Sequence, residues 1–146
     1  MKNVEIFTDG ACKFNPGPGG WGAVLRYGTA EKEISGGAAH ATNNQMELRA
    51  VIEALKMLKE SCSVTLTTDS QYVCNAINKG WIKNWIAKNW RKNGKPIPNT
   101  ELWLELLEQL DRHSVRFVWV KGHNGHAENE RCDRLASAQA EKYSKL

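Results

Sequence analysis

The order of strand-like and helix-like segments is the feature that most constrains how this chain can fold. Residues 3–9, 20–27 and 31–39 form three consecutive strand-like runs, separated by the glycine-containing stretches FNPGPGG and YGTAE, which favour turns. Two later strand-like runs, VTLTTD at 64–69 and VRFVWV at 115–120, alternate with segments of helical periodicity. This order predicts an α/β fold with a mixed five-stranded sheet, because parallel neighbours need crossover helices.

Four helices are predicted in the second part of this pattern. The first follows from apolar residues at helical spacing after a cap at Thr42, Asn43 or Asn44, and its apolar positions are Leu48, Val51, Ile52, Leu55 and Leu58. The other three are predicted over about 70–78, 101–110 and 128–142. A chain of 146 residues has the size of one domain, so we expect a single domain over 1–146.

Composition excludes several classes of protein. Hydrophobic residues make up 41% and charged residues 25%, which indicates a globular chain and not a disordered one. No run reaches the roughly 20 apolar residues of a membrane span, and the start MKNVEIF lacks the apolar core of a signal peptide, so we expect a cytoplasmic protein without membrane contact, monomeric by default. The four cysteines show no paired spacing, and GHNGH with Cys132 is a weak zinc pattern, so reduced thiols are expected.

Positive charge is concentrated in one segment. Between Ser70 and Thr100 the chain has no Asp or Glu but six basic residues, which are Lys79, Lys83, Lys88, Arg91, Lys92 and Lys95. The remaining chain has 14 basic against 16 acidic residues, so the excess positive charge lies in this segment. A local basic segment without acidic neighbours indicates contact with phosphates. Three tryptophans, Trp81, Trp85 and Trp90, are interleaved with these cations. Trp81 and Trp85, at i, i+4 spacing, can pack one helix face onto another, and packed tryptophans would hold a basic segment stiff.

Carboxylates occur where strands end and helices begin. IFTDG ends a predicted strand at Asp9, and LTTDS ends another at Asp69. Ligands gather at the carboxyl ends of strands, so these two aspartates share a site if the first and fourth strands are neighbours. Glu47 and Asp133 lie near helix starts, where a carboxylate can also simply favour the helix N-terminus. Four converging carboxylates would repel one another without cations, and oxygen ligands favour Mg²⁺ or Mn²⁺.

Several motifs resemble one known family. DGACKFNPGPGGWG, TNNQMEL, TDSQYV and WVKGHNGHAENERCDRLA, with the basic segment between the last two, together resemble the bacterial type 1 ribonuclease H family over essentially the full chain. The resemblance implies a ribonuclease H-like fold, with a five-stranded mixed sheet whose first three strands are antiparallel, flanking helices, and a basic helical protrusion at about 79–96. It also implies a metal-dependent endonuclease that hydrolyses the RNA strand of RNA–DNA hybrids, largely without sequence preference, leaving 5′-phosphate and 3′-hydroxyl ends.

The same resemblance implies roles for individual residues. The implied catalytic residues are Asp9, Glu47, Asp69, His123 and Asp133; the four carboxylates among them bind metal. Two ions, Mg²⁺ with Mn²⁺ as the alternative, are implied when substrate is bound, and Glu130 is an accessory acid. The implied contacts to the hybrid are Cys12, Asn15, Asn43, Asn44, Gln71, Trp81, Trp85, Lys83, Lys88 and Arg91.

The chain also departs from the family pattern. Phe14 stands where relatives usually carry glycine, which leaves the conformation beside Asn15 open, and Ile86 and Ala87 replace residues that are often lysine or polar. Two other functions stay open at this point: a binding module of the same fold that does not cut, and a metal-dependent nuclease for another substrate, such as a DNA resolvase. A thiol or zinc regulatory protein is contradicted by the cysteine spacing.

Overall fold

The computed structural model of the protein describes residues 1–122 and 125–146 and shows twelve regular elements in them. In chain order these are β1 (Lys2–Cys12), β2 (Gly17–Tyr27), β3 (Ala30–Ala41), α1 (Asn43–Lys56), β4 (Cys62–Thr68), α2 (Gln71–Asn78), α3 (Trp81–Ala87), β5 (Arg91–Lys92), β6 (Lys95–Pro96), α4 (Thr100–Arg112), β7 (Ser114–Trp119) and α5 (Ala127–Ser144). Within these residues, no helix has the length and apolar character that crossing a membrane requires.

Five strands form the central sheet, in the order β3-β2-β1-β4-β7. β1, β2 and β3 are antiparallel neighbours, whereas β4 runs parallel to both β1 and β7. The predicted mixed sheet with an antiparallel meander is therefore confirmed. The hypothesis that the first and fourth strands are adjacent is also correct, and this adjacency positions the site.

Helices cover both faces of the sheet because the strands alternate apolar side chains between them. Ile6 and Leu25 belong to the larger core beneath α1, α2 and α4, whereas Phe7 and Val24 pack on α5. α1 begins with a capping box, in which the Thr42 hydroxyl accepts from Gln45 N and the Gln45 side chain accepts from Thr42 N. This cap fixes where the helix carrying Glu47 begins.

Glycines bring α5 close to β2. A Cβ added at Gly20 would lie 2.6 Å from Ala140 N, and one at Gly22 would lie 2.5 Å from Leu135 Cβ. The sequence predicts that β2 starts at residue 20, after a glycine-rich turn, but the strand begins at Gly17. The prediction is wrong at this boundary because Gly17 and Gly19, which have the appearance of turn residues, pair with Ala41 and Ala38 of β3.

The basic protrusion contains helix α3 and the small β5–β6 hairpin. Its turn is Asn93–Gly94, with φ of 53° and 77°, the conformation that Asn-Gly favours in two-residue hairpins. The family resemblance implied a helical protrusion only. The hairpin was not expected, although the sequence contains the Asn-Gly pair that favours it. Ile82 and Ile97 are buried, and the Trp85 ring lies 5.5 Å from that of Trp103, so the protrusion is anchored on the core.

Candidate active site

Asp9 and Asp69 lie side by side where the parallel pairing of β1 with β4 ends. The predicted strand end at Asp9 is wrong, because β1 continues to Cys12 through its pairing with β2. Thr8 of β1 pairs with Thr68 of β4, and each aspartate is the next residue along its chain. Asp9 is only 4% exposed, and the Gly10 N–H donates to its Oδ1 at 2.9 Å. The two aspartate motifs therefore converge, as the sequence predicts.

Glu47 joins this pair from the first turns of α1. A Cβ at Gly10 would lie 2.5 Å from Glu47 N, so the absence of a side chain at Gly10 lets α1 approach β1. One carboxylate oxygen from each of Asp9, Glu47 and Asp69 lies within 4.8 Å of the other two. No sequence pattern predicted that Gly10 makes this close contact between β1 and α1 possible.

Asp133 reaches the same cleft from α5. The cleft has a volume of about 310 Å³, and Asp133 lines it together with the three clustered carboxylates, Cys12 and Asn43. The charge of Asp133 is also among the causes that raise the pKa of Asp9. All four carboxylates named from the sequence thus meet in one place, although they come from four different parts of the fold.

Burial and mutual repulsion perturb the acids of this cleft. Burial is the largest cause that raises the pKa of Asp9, to about 8, followed by the neighbouring charges of Asp69 and Asp133. Burial, and then the charges of Asp9 and Asp69, hold the pKa of Glu47 well above its ordinary value. Among the described residues, Glu47 Oε1 is buried without a hydrogen-bond partner. A buried, unsatisfied carboxylate oxygen among like charges fits a cation ligand.

The donor set fits a hard divalent cation and not zinc. All the clustered donors are carboxylate oxygens, which suit Mg²⁺ or Mn²⁺. Cys132 does not offer a thiolate, since burial raises its pKa to about 12 and its Sγ donates to Phe7 O at 3.2 Å. The geometry is therefore that of a carboxylate site for divalent metal.

Comparison with known proteins agrees with this geometry. The family model for RNase H matches residues 1–141. The chain belongs to the ribonuclease H family. It is 59% identical over 141 residues to a ribonuclease H of Nitratidesulfovibrio vulgaris, covering 96% of this chain and 90% of that one. It is 59% identical to the ribonuclease HI of Pasteurella multocida, covering 97% and 92%. The structure of LC9-RNase H1, a type 1 RNase H, superposes with a TM-score of 0.89 at 29% identity, covering 99% of this chain and 74% of that chain.

Two of the residues predicted to contact the hybrid lie at the acidic cleft, and the others lie outside its lining. Cys12 and Asn43 line it. The Asn15 side chain accepts from Asn43 N at 3.0 Å, which ties the loop before β2 to the start of α1. Asn44 and Gln71 are exposed near the starts of α1 and α2, outside the lining of the cleft. Phe14, in the same loop as Asn15, is 72% exposed.

The structure does not place two further residues of the family pattern, His123 and Glu130, in the lining of the acidic cleft that it describes. His123 lies outside the described residues. Glu130 is half-buried in the first turn of α5 and does not line the acidic cleft. The roles of both remain predictions from sequence.

The predicted contacts on the protrusion lie away from the carboxylates and differ among themselves. Lys83 and Lys88 are exposed, while the Arg91 guanidinium donates to Gly94 O within the hairpin. Within residues 1–122 and 125–146, no basic residue from Lys79 to Lys95 forms an ion pair. Trp81 is 39% exposed, whereas Trp85 packs against the core, so the packing role considered from the sequence is confirmed for Trp85.

Two residues of β7 and the loop after it contact Asp69, and no sequence pattern assigns them a role. The Trp119 indole N–H donates to the Asp69 backbone carbonyl at 3.0 Å. A Cβ at Gly122 would lie 2.6 Å from Asp69 Oδ2. The family motif WVKGHNGHAENERCDRLA includes both positions, but the contacts themselves depend on the pairing of β4 with β7.

Proposed function

We propose that this enzyme is a metal-dependent endonuclease that hydrolyses the RNA strand of RNA–DNA hybrids, largely without sequence preference, and leaves 5′-phosphate and 3′-hydroxyl ends. The observation that carries this proposal is the convergence of Asp9, Glu47 and Asp69 within 4.8 Å, with Asp133 in the same cleft. Membership of a family that degrades RNA in RNA–DNA hybrids supports the choice of substrate.

The four carboxylates would hold Mg²⁺, with Mn²⁺ as the alternative, and two ions would bind when substrate is present. The bound ions supply Lewis-acid stabilisation of the charge that develops around the scissile phosphate. The residues of the chain orient the reaction: the paired strands β1 and β4 position Asp9 and Asp69, and helices α1 and α5 position Glu47 and Asp133. Histidine is the side chain best suited to exchanging protons near neutral pH, so His123 would assist proton transfer or product release.

Recognition of RNA requires contact with its 2′-hydroxyl in a wide, shallow minor groove. Asn43 and Cys12 lie beside the carboxylates, and the bond between Asn15 and Asn43 holds this polar rim in place. Asn44 and Gln71, exposed near the starts of α1 and α2, would extend the same contact along the groove. Because contacts to sugar and phosphate carry little base information, this arrangement accounts for cleavage without sequence preference.

The protrusion would bind the DNA strand of the hybrid. Its cations have no acidic partners among the described residues, so they are available for phosphates. Lys83, Lys88 and Arg91 would supply charge, exposed Trp81 an apolar contact, and Trp85 the packing that holds α3 in position. The chain would act as a single-domain monomer in the cytoplasm.

The direct test is a cleavage assay with labelled RNA in an RNA–DNA hybrid, beside duplex DNA and duplex RNA, with and without Mg²⁺. We expect loss of the hybrid RNA alone, only with Mg²⁺, and products that alkaline phosphatase dephosphorylates at the 5′ end. Cleavage of duplex DNA would identify a nuclease for another substrate. Tight binding of the hybrid without cleavage at any Mg²⁺ concentration would identify a binding module.

A further inference from the structure

We propose that Trp119 and Gly122 are positioning residues that hold Asp69 where its carboxylate can share a cation with Asp9 and Glu47. This inference rests on the proposed metal-dependent function and deepens it. It assigns to the end of β7 and the residues after it a part in building the metal site, through Asp69, although neither Trp119 nor Gly122 carries a ligand oxygen in its side chain.

Asp69 sits at a junction that regular secondary structure does not fix. β4 ends at Thr68, and Ser70 caps α2, with its side chain accepting from Val73 N. Thr68 is held on both sides, because its carbonyl accepts from Val120 N at 3.0 Å and its hydroxyl accepts from Ser70 N at 3.1 Å. Asp69 belongs to neither element, so its own position depends on other contacts.

Trp119 supplies one of those contacts. Its indole N–H donates to the Asp69 carbonyl at 3.0 Å, while its side chain stays 44% exposed. Core tryptophans contribute mainly through the apolar area they bury, and so much exposure reduces that contribution. The hydrogen bond to Asp69 is therefore what distinguishes a tryptophan from a phenylalanine at this position.

Gly122 supplies the second contact, to the side-chain carboxylate of Asp69, whereas Trp119 contacts its backbone. A Cβ there would lie 2.6 Å from Asp69 Oδ2 and 3.4 Å from its carboxyl carbon. The backbone φ of Gly122 is not in the left-handed region, so conformation does not require glycine here. Glycine is required here because the Asp69 carboxylate lies so close that a larger residue would displace it.

The two contacts act against a repulsion within the site. Asp9 and Glu47 repel the Asp69 carboxylate as long as no cation neutralises them. Trp119 restrains the Asp69 backbone, and the Gly122 backbone limits where its side chain can go. A ligand that is already in place loses less freedom when the cation binds, which raises affinity for the cation.

The first test compares Trp119→Phe with Trp103→Phe in the whole protein without nucleic acid. Both variants lose one indole hydrogen bond, since Trp103 donates to the Tyr72 hydroxyl at 2.8 Å and does not line the acidic cleft. Calorimetric titration with Mn²⁺ should show roughly 10-fold weaker binding for Trp119→Phe. Trp103→Phe should lower the thermal midpoint while its Mn²⁺ affinity stays at the wild-type value.

The second test uses Gly122→Ala, with Gly28→Ala as control because a Cβ at Gly28 meets no atom within 4 Å. Gly122→Ala should weaken Mn²⁺ binding by roughly 10- to 100-fold, and Gly28→Ala should leave it unchanged. In cleavage assays, Trp119→Phe and Gly122→Ala should lower kcat at low Mg²⁺ without raising KM for the hybrid. A high Mg²⁺ concentration should restore kcat, which a general loss of folding would not allow.

The outcomes separate this inference from the proposed function. Wild-type Mn²⁺ affinity in Trp119→Phe or in Gly122→Ala overturns the assignment of that residue and leaves the metal-dependent function intact. An equal loss of affinity in Trp103→Phe also overturns it, because the effect would then follow from stability. Failure of the wild-type protein itself to bind Mn²⁺ overturns both the metal centre and this inference.

Discussion

Asp9 is a residue whose charge opposes folding until a cation is bound. It is 4% exposed and faces Asp69 and Asp133, and burial and these charges raise its pKa to about 8. A carboxylate in that position must either keep its proton or be neutralised by a positive ion. Function and stability therefore place opposite demands on this one side chain.

Replacing Asp9 with asparagine should separate those demands. We expect Asp9→Asn to lose nearly all cleavage of the hybrid, since one metal ligand is gone, yet to unfold less readily when EDTA removes divalent ions. The gain should be roughly 1–3 kcal/mol at pH 7, because each pKa unit of unfavourable shift corresponds to about 1.4 kcal/mol. Urea denaturation and the hybrid assay measure the two effects.

The matched control for this prediction is Asp111→Asn, the same chemical change at an exposed position in α4. It should alter neither cleavage nor stability appreciably. A metal-free Asp9→Asn protein that is less stable than the wild type would show that the charge of Asp9 does not oppose folding.

The packing of α5 on β2 is the contact between elements that brings Asp133 to the cleft. Gly20→Ala would place a Cβ 2.6 Å from Ala140 N, so the helix must move or the strand must bend. We expect a loss of about 3 kcal/mol, at the upper end of the cost of overpacking. Cleavage should fall as well at temperatures where the variant is folded, because α5 carries Asp133.

Gly28→Ala is the control that distinguishes packing from backbone strain. Gly28 has φ of 59° and no neighbour within 4 Å of an added Cβ, so only the left-handed conformation is penalised, by about 1 kcal/mol. Urea denaturation of both variants measures the difference. Equal losses would mean that α5 accommodates the extra atom without strain.

The basic protrusion should bind phosphates through its charge and not through its shape alone. Replacing Lys83, Lys88 and Arg91 together with glutamine should weaken hybrid binding, because fewer phosphates are neutralised. The slope of log K against log salt should fall by about one unit for each phosphate that the variant no longer neutralises. Fluorescence anisotropy in EDTA, which prevents cleavage, measures this slope.

Three lysines at the opposite end of the strands from the acidic cleft provide the matched control for that change. Lys2 and Lys59 flank the amino ends of β1 and β4, and Lys32 lies near the start of β3, away from the end that carries Asp9 and Asp69. The triple change to glutamine there should leave the slope nearly unchanged. The same reduction in both triple variants would indicate a general effect of net charge.

Over the whole molecule, local patterns predicted what depends on neighbouring residues. Alternating apolar residues and turn signals predicted the five strands, and the motifs around Asp9 and Asp69 predicted that two carboxylates meet if the first and fourth strands are neighbours. What they could not predict is close contact between distant elements, such as Gly20 against α5, Gly10 against Glu47 and Gly122 against Asp69. Those glycines have the same appearance in sequence as turn residues, and only the pairing of strands and helices distinguishes them.

Two buried sites, His113 and the pair Asp9 and Glu47, make the stability of the whole protein depend on pH, and their effects are opposite in sign. His113 is 7% exposed, its Nδ1 accepts from Cys62 N at 3.1 Å, and burial and the nearby Arg112 lower its pKa. Folding therefore favours neutral His113, so its contribution to stability is complete above a pH of about 6.5 and is lost as pH falls below it. Asp9 and Glu47 act in the other direction, because their pKa values are raised in the folded state.

Without divalent cations, the free energy of unfolding should fall as the pH rises from about 5 toward 8, since the unfolded chain releases protons that folded Asp9 and Glu47 retain. Each of these groups contributes a slope of at most about 1.4 kcal/mol per pH unit. Saturating Mg²⁺ should remove this slope, because the cation takes the place of the protons, and only the decline from His113 on the acid side should remain.

Urea denaturation across this range, in EDTA and in Mg²⁺, measures both curves, with metal-free Asp9→Asn as a control whose slope is already reduced. Identical pH profiles in EDTA and in Mg²⁺ would mean that cation binding and the protonation of these carboxylates are not linked.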